Sequence, residues 1–185
     1  MEHSIALVTG TTSGVGYEAA RLLAAHGYRQ VIVTGRSLAR VQATAAQLAA
    51  QTGTQVFTPL ELELDEPASV QAALAELVKR GQPIDVLLLN AGMVPGKERV
   101  ITAAGVEASQ APLIGHHQLT VGLLRANLLS PNARIVIASA EPARGGRTHV
   151  QIHRRGRTRC QVPRRRPDRR DGSSAAQRAS REICA

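Results

Sequence analysis

The chain has 185 residues, 43% of them hydrophobic, with no Trp, one Phe and two Tyr; that suffices for one domain whose core is built from Ala, Val, Leu and Ile rather than aromatics. No apolar run reaches the length of a membrane span, and no basic-then-apolar leader opens the sequence, so a membrane protein is not expected and the cytoplasm is the expected location. The net charge of +9 is uneven: Met1 to Ala143 carry 10 basic and 11 acidic residues, whereas Arg144 to Ala185 carry 13 Arg against 3 acids, so a near-neutral domain precedes a strongly basic tail.

Ile5 to Thr9 (IALVT) is a short continuous apolar run ahead of glycines, the pattern of a strand buried on both faces. A helix is expected from Val15, with Val15, Ala19, Leu22 and Leu23 on its inner face and Gly27 as its stop. Gln30 to Thr34 reads as a second buried strand. Ser37 is placed to cap a helix whose inner face is Val41, Ala45, Leu48 and Ala49. Gln55 to Leu62 supplies a third strand. Pro67 can open a helix with the stripe Val70, Leu74, Leu77 and Val78. Val86 to Leu89 is the fourth strand. The segment from Gln110 to Leu129 is apolar nearly all round (Leu119, Val121, Leu123, Leu124, Leu128), which predicts a helix buried on two sides, stopped by Pro131. Arg134 to Ser139 is the fifth strand. Strands alternating with helices give βαβ units, and right-handed crossovers then give an α/β fold of the Rossmann type, a doubly wound parallel sheet of about five strands.

Residues 1–145 therefore form the expected domain. Residues 146–185 have no period of 2 or 3.6; their Arg clusters, such as Arg164, Arg165 and Arg166, alternate with Pro, Gly, Ser and Gln, a composition that predicts disorder. Arg clusters neutralise phosphates, so nonspecific nucleic-acid contact by the tail is one expectation, although the tail has no aromatics for base stacking. Cys160 and Cys184 lack metal-site spacing. His116 and His117 are adjacent and point to different sides of a helix, so no metal site is expected.

The strongest functional pattern is Thr9-Gly10-Thr11-Thr12-Ser13-Gly14-Val15-Gly16, which follows a strand and opens a helix. In that context a glycine loop cradles a pyrophosphate. Gly10 permits the turn, Gly14 lets backbone approach the anion, and Gly16 lets the helix pack closely on the sheet. No Gly-Lys-Ser/Thr follows, which excludes a Walker-type loop. At the end of the second strand, where an NAD site places an acid, the chain has Thr34-Gly35-Arg36-Ser37. Arg36, with Arg40 one turn later, suits a phosphate, so NADP is expected and NAD is the alternative.

The spacing Gly-x-x-x-Gly-x-Gly, together with Asn90-Ala91-Gly92 after the fourth strand, resembles the short-chain dehydrogenase/reductase family over residues 1 to about 145. The resemblance implies hydride transfer between NADP(H) and a carbonyl or alcohol substrate. It implies cofactor contacts from Thr9, Gly10, Thr12, Ser13, Gly14, Val15, Gly16, Arg36, Asn90, Ala91 and Gly92. Glu61 to Val70 matches the segment that touches adenine, with Glu63 or Asp65 in the acid role and Leu64 beside them. Thr102-Ala103-Ala104-Gly105-Val106-Glu107, Gly115-His116 and Ser130 to Val136 are similar to the branch of retinol dehydrogenases and protochlorophyllide reductases.

The chain departs from the family where chemistry is done. The family uses a Tyr, a Lys four residues later and a Ser at the end of the fifth strand. Here the only Tyr residues are Tyr17 and Tyr28, the only Lys residues are Lys79 and Lys97, and no Tyr-x-x-x-Lys exists. Alignment puts the Ser at Ala140; Ser139 is one residue away, and neighbouring strand residues face opposite sides. The supporting Asn of the long helix corresponds to Pro112. Impaired catalysis is expected, or a non-catalytic dinucleotide-binding remnant or regulator. Patterning stops at Gly145, and the hypothesis this suggests is a shifted reading frame in a GC-rich gene. A fifth strand left as an edge and a long helix with a bare apolar face imply poor solubility or self-association.

Overall fold

The computed structural model describes residues 4–93, 98–103 and 105–139. The Arg-rich segment 146–185, with its expected disorder and nucleic-acid contact, lies outside the described residues. Nine elements follow in chain order: β1 (Ile5–Val8), α1 (Gly14–Ala25), β2 (Gln30–Gly35), α2 (Leu38–Thr52), β3 (Phe57–Glu61), α3 (Pro67–Arg80), β4 (Ile84–Leu89), α4 (Ala111–Arg125) and β5 (Leu129–Ile137). The strands form one parallel sheet in the order β3-β2-β1-β4-β5. The chain first winds outward from β1 through β2 to β3, then crosses back to β4 and β5. The reversal falls between β1 and β4, and at such a switch point the strand ends leave a crevice.

β1 is buried along its whole length, as its IALV sequence requires for a central strand covered on both faces. Successive side chains nevertheless serve different layers. Ile5, Leu7, Ile32, Leu60, Leu87 and Leu89 pack with α3 and α4 through Val70, Leu74, Leu77, Leu119 and Leu123. Val8, Val31 and Val33 pack with α1 and α2 through Ala20, Ala24, Val41, Ala45 and Leu48. Each fully buried Leu, Ile or Val contributes about 1.5–3 kcal/mol by leaving water, so two well-filled layers hold the sheet.

The expected inner faces of α2 and most of α3 are the buried ones; Val78 is exposed, and Ala73 takes a place in the core instead. The inner face of α1 differs from expectation. Gly16, Ala20 and Ala24 face the sheet, while Val15 and Leu22 are exposed. Gly16 lies against the Gly10 carbonyl; that approach leaves room only for the narrow Gly/Ala face and turns the larger side chains outward.

α4 ends before Pro131. Its last helical residue is Arg125, and Asn127 takes a left-handed conformation with φ 53°, which Asn tolerates better than most residues. Pro131 lies inside β5, in the stretch where β4 and β5 lose register between the pairs Ile84↔Leu129 and Val86↔Arg134. An irregular stretch of an edge strand accommodates a residue without an N–H. β5 thus begins five residues earlier than the sequence pattern suggests and ends at Ile137.

α4 is buried on one side only. Ala111, Gly115, His116, Leu119 and Leu123 face inward, while Leu113, Ile114 and Leu124 are exposed. Ile135, Val136 and Ile137 of β5 are also exposed. The expected two-sided burial of α4 is absent among the described residues, and the edge strand and the bare helix face are present. No helix of the described residues is long and apolar enough to cross a membrane.

α4 meets the rest of the fold through glycines. A Cβ on Gly115 would collide with the Leu64 carbonyl and lie 2.7 Å from the Leu64 Cβ; one on Gly122 would lie 2.8 Å from Leu74 Cδ2. Gly115→Ala is expected to cost about 1–3 kcal/mol, the usual range for overpacking. Urea denaturation of the variant checks this, and an unchanged midpoint would show that α4 is free to shift.

Candidate functional site

The glycine loop occupies the mouth of the sheet at the switch point. Gly10 has φ +70° and Gly14 φ +61°, a left-handed conformation open to glycine and strained for most residues. A side chain on Gly10 would also meet Ala91, whose Cα would lie 2.9 Å from the added Cβ. No such crowding exists at Gly14, where nothing lies within 4 Å of the added atom, so its backbone is bare on the outer side. Gly16 brings α1 against the loop: a Cβ there would strike the Gly10 carbonyl and lie 2.6 Å from Asn90 Nδ2.

Ser13 is the extended residue ahead of α1, and its side chain makes no cap hydrogen bond; no acid stands in the first turn. Thr12, Ser13, Gly14 and Val15 are exposed. The first N–H groups of the helix are thus left without a side-chain cap, at the positive end of the helix dipole. That is the chemistry of an anion site.

The loop is pinned from below by threonines. Thr11 is buried and donates both its N–H and its hydroxyl to the Thr34 carbonyl, each at 3.0 Å. Thr34 in turn donates its hydroxyl to the Val8 carbonyl. Gly35 lets the loop lie over the end of β2, because a Cβ there would come within 2.9 Å of Thr12 Cγ2. Asn90 donates its side-chain amide to the carbonyls of Thr9 (3.1 Å) and Gly10 (3.4 Å), which ties the end of β4 to the glycine turn.

Beside the loop lies an open cleft of about 250 Å3 lined by Thr12, Arg36, Ser37, Arg40 and Glu63. Two arginines, two hydroxyl residues and one acid therefore surround one cleft. Ser37 does not cap α2 with its side chain. Its hydroxyl makes no cap bond; the Glu61 carboxylate accepts the Leu38 N–H at 3.1 Å instead. An anion at a helix N-terminus is favoured by the dipole, and Ser37 is among the residues that line the cleft.

The structure brings together Gly10, Thr12, Ser13, Gly14, Val15, Gly16, Asn90 and Ala91 at the mouth, with Gly92 exposed beside them and Arg36 and Glu63 in the adjoining cleft; Thr9, expected among the cofactor contacts, is fully buried beneath them. Leu64 does not join them: it is buried against Gly115 of α4. Ser139 lies beyond β5 and is exposed; Ala140 is outside the described residues. Tyr17 donates its hydroxyl to Gln51 on the outer surface between α1 and α2, and Tyr28 packs against the core on the α1–α2 side. Lys79 sits in the last turn of α3. No Tyr–Lys pair forms among the described residues, and no group of His, Cys, Asp and Glu there could hold a metal ion.

Sequence reasoning missed Thr11, Glu61 and the role of His116. His116 is buried, and its Nε2 lies 2.8 Å from Thr9 Oγ1. Its separation from Thr9 is 107 residues, so only the tertiary structure reveals the pair. Burial pushes the His116 imidazole down to about 4 from its ordinary 6.5, because the interior disfavours the cation.

A parallel sheet with a glycine loop, a bare helix N-terminus and a basic cleft at its switch point defines a Rossmann-type α/β protein. The chain belongs to the short chain dehydrogenase family, whose model matches residues 4–151. It is 37% identical over 136 residues to a probable oxidoreductase of Streptomyces antibioticus, a match covering 73% of this chain and 44% of that protein. A short chain dehydrogenase of Shigella flexneri complexed with NADP is similar in structure, with 26% identity, a TM-score of 0.64, and coverage of 80% of this chain and 63% of that one. One from Sphingobium yanoikuyae in complex with NADPH gives 26% identity, a TM-score of 0.57, and coverage of 72% and 52%. The chain spans less than half the length of the Streptomyces relative.

The His116 titration has a thermodynamic consequence. Above pH 6.5 the imidazole is neutral both folded and unfolded, so it contributes no pH dependence. As pH falls from about 6.5 to about 4, the unfolded chain takes up a proton that the folded chain refuses, and stability drops by up to about 1.4 kcal/mol per pH unit. Below about 4 both forms are protonated and the slope ends. Urea unfolding of the native chain and of His116→Gln across this range checks the effect; equal pH slopes for the two would contradict it.

Proposed function

We propose that this chain binds NADP(H) at the mouth of the sheet and descends from an oxidoreductase that moves hydride between NADP(H) and a carbonyl or alcohol substrate. The observation that carries the reading is the bare helix N-terminus behind Gly14 standing next to the cleft of Arg36 and Arg40. Backbone N–H groups from Thr12 to Gly16 would take the pyrophosphate. Arg36 would grip the 2′-phosphate through its planar fork, with Arg40 and Ser37 beside it. Glu63 would meet the adenosine end, and Asn90, Ala91 and Gly92 would line the path toward the nicotinamide. The bound nicotinamide would supply the hydride chemistry. The relatives in complex with NADPH and NADP support this choice of cofactor.

Catalysis is expected to be impaired. The family's proton donor needs a Tyr whose hydroxyl is activated by a Lys, and this sequence contains no Tyr-x-x-x-Lys. Ser139, beyond the end of β5, has no such partner in the sequence. That absence favours a second reading, a dinucleotide-binding remnant or regulator without turnover. The sequence stretches Thr102 to Glu107, Gly115-His116 and Ser130 to Val136 support a place near the retinol dehydrogenase and protochlorophyllide reductase branch.

Titration with NADPH and NADH, followed by nicotinamide fluorescence, tests the cofactor. NADPH is expected to bind at least about tenfold more tightly, a preference that Arg36→Glu removes, since a charge-assisted contact contributes about 1.5–3 kcal/mol. Equal affinities would end the NADP assignment, and binding of neither would end the dinucleotide reading. Reduction of simple ketones and aldehydes is expected to run about a hundredfold or more slower than in a family member that keeps the Tyr and Lys. Comparable turnover in a steady-state NADPH-oxidation assay would show that another group donates the proton.

A further inference from the structure

Four groups converge on the Thr9 hydroxyl oxygen. The backbone N–H groups of Asn90 and Ala91 donate to it at 2.8 and 3.0 Å. The His116 Nε2 is 2.8 Å away, and the Leu88 carbonyl is 3.4 Å away. A hydroxyl has one proton and two lone pairs. The two amides fill both lone pairs, so the remaining contact at hydrogen-bond distance has to receive the hydroxyl proton. Of the two candidates, the Leu88 carbonyl is the longer contact and already accepts the Thr9 N–H at 2.9 Å. A proton on Nε2 would set three donors against two lone pairs.

We propose that His116 is a positioning residue of the mouth: as the neutral Nδ1–H tautomer its Nε2 accepts the Thr9 hydroxyl proton, and through Thr9 it fixes the backbone of Asn90 and Ala91. The arrangement is enabled one residue earlier. Gly115 lets α4 approach Leu64 closely, and the next side chain then reaches inward to the end of β1. Thr9 is fully buried and His116 nearly so, and low-dielectric surroundings make a satisfied hydrogen-bond network stiff and a broken one costly. α4 is thereby linked to the turn that begins the glycine loop and to the loop that leaves β4, although neither Thr9 nor His116 is exposed to a ligand.

The affinity arm of the test rests on the dinucleotide reading; the two structural arms do not. Nitrogen NMR of the imidazoles in the full chain is expected to show His116 protonated at Nδ1 and bare at Nε2 near neutral pH. Amide exchange at Asn90 and Ala91 is expected to be slow in the native chain and in His116→Gln, whose Oε1 can still accept, and about tenfold faster in His116→Leu. NADPH affinity is expected to fall about tenfold in His116→Leu and Thr9→Val, no further in the double variant, and by less than about threefold in His116→Gln. A proton on Nε2, a His116→Gln chain as impaired as His116→Leu, or additive losses in the double variant would overturn the assignment. Should His116→Leu fail to fold, the native tautomer and His116→Gln still decide. Should the native chain bind no NADPH, the dinucleotide reading fails, while the tautomer and amide exchange still decide the role of His116.

Discussion

β1 and β4 run side by side at the centre of the sheet, and the polar lock that joins their C-terminal ends governs the rest of the site. Thr9 and Asn90 form it: the hydroxyl of one takes backbone N–H groups of the other strand's end, and the carboxamide of Asn90 returns two hydrogen bonds to Thr9 and Gly10. Buried polar groups are stable only when so paired. Once the lock is closed, the Gly10 turn has a fixed position. Gly16 can then bring α1 down onto that turn with no side chain between them. The helix N-terminus is consequently aimed at the crevice by packing constraints, independently of any bound molecule.

A second division of labour runs along the edge of the cleft. The acids and bases there are not interchangeable. Glu61 is spent on the N-terminus of α2, where its charge meets a helix dipole. Arg36, Arg40 and Ser37 line the cleft. The arrangement keeps positive charge where an anionic group of a ligand would rest, and it removes from that place one of the two nearby carboxylates. Glu63 remains on the wall, and its backbone N–H donates to the Ser69 hydroxyl at 2.9 Å, which steadies the start of α3.

The two sides of the switch point are unequally furnished. On the β1–β2–β3 side both layers are filled, and the polar residues of the mouth are hydrogen-bonded to the strands beneath them. On the β4–β5 side the described residues leave Leu113, Ile114 and Leu124 of α4 and Ile135 to Ile137 of β5 open. Edge strands and apolar faces of this kind favour association. The glycine loop and the basic cleft stand on the better-packed side.

The sequence by itself determined the alternation of strands and helices, the glycine loop between β1 and α1, and Arg36 at the end of β2, because each is a local signal: an apolar period, a turn residue, a charge where an acid would otherwise stand. It also determined the lack of a Tyr-x-x-x-Lys pair, which needs no coordinates to see. Only the tertiary structure decided which face of α1 is buried, because the approach of Gly16 to the Gly10 carbonyl outweighs the size of Val15 and Leu22. It alone decided that Pro131 lies within β5, where an irregular register spares it a hydrogen bond, and that Glu61 rather than Ser37 satisfies the start of α2. The pairing of Thr9 with His116 was likewise out of reach of any local pattern. A hydrogen bond between residues 107 positions apart exists only after a sheet and a helix have been packed together, and nothing in the neighbourhood of either residue announces it.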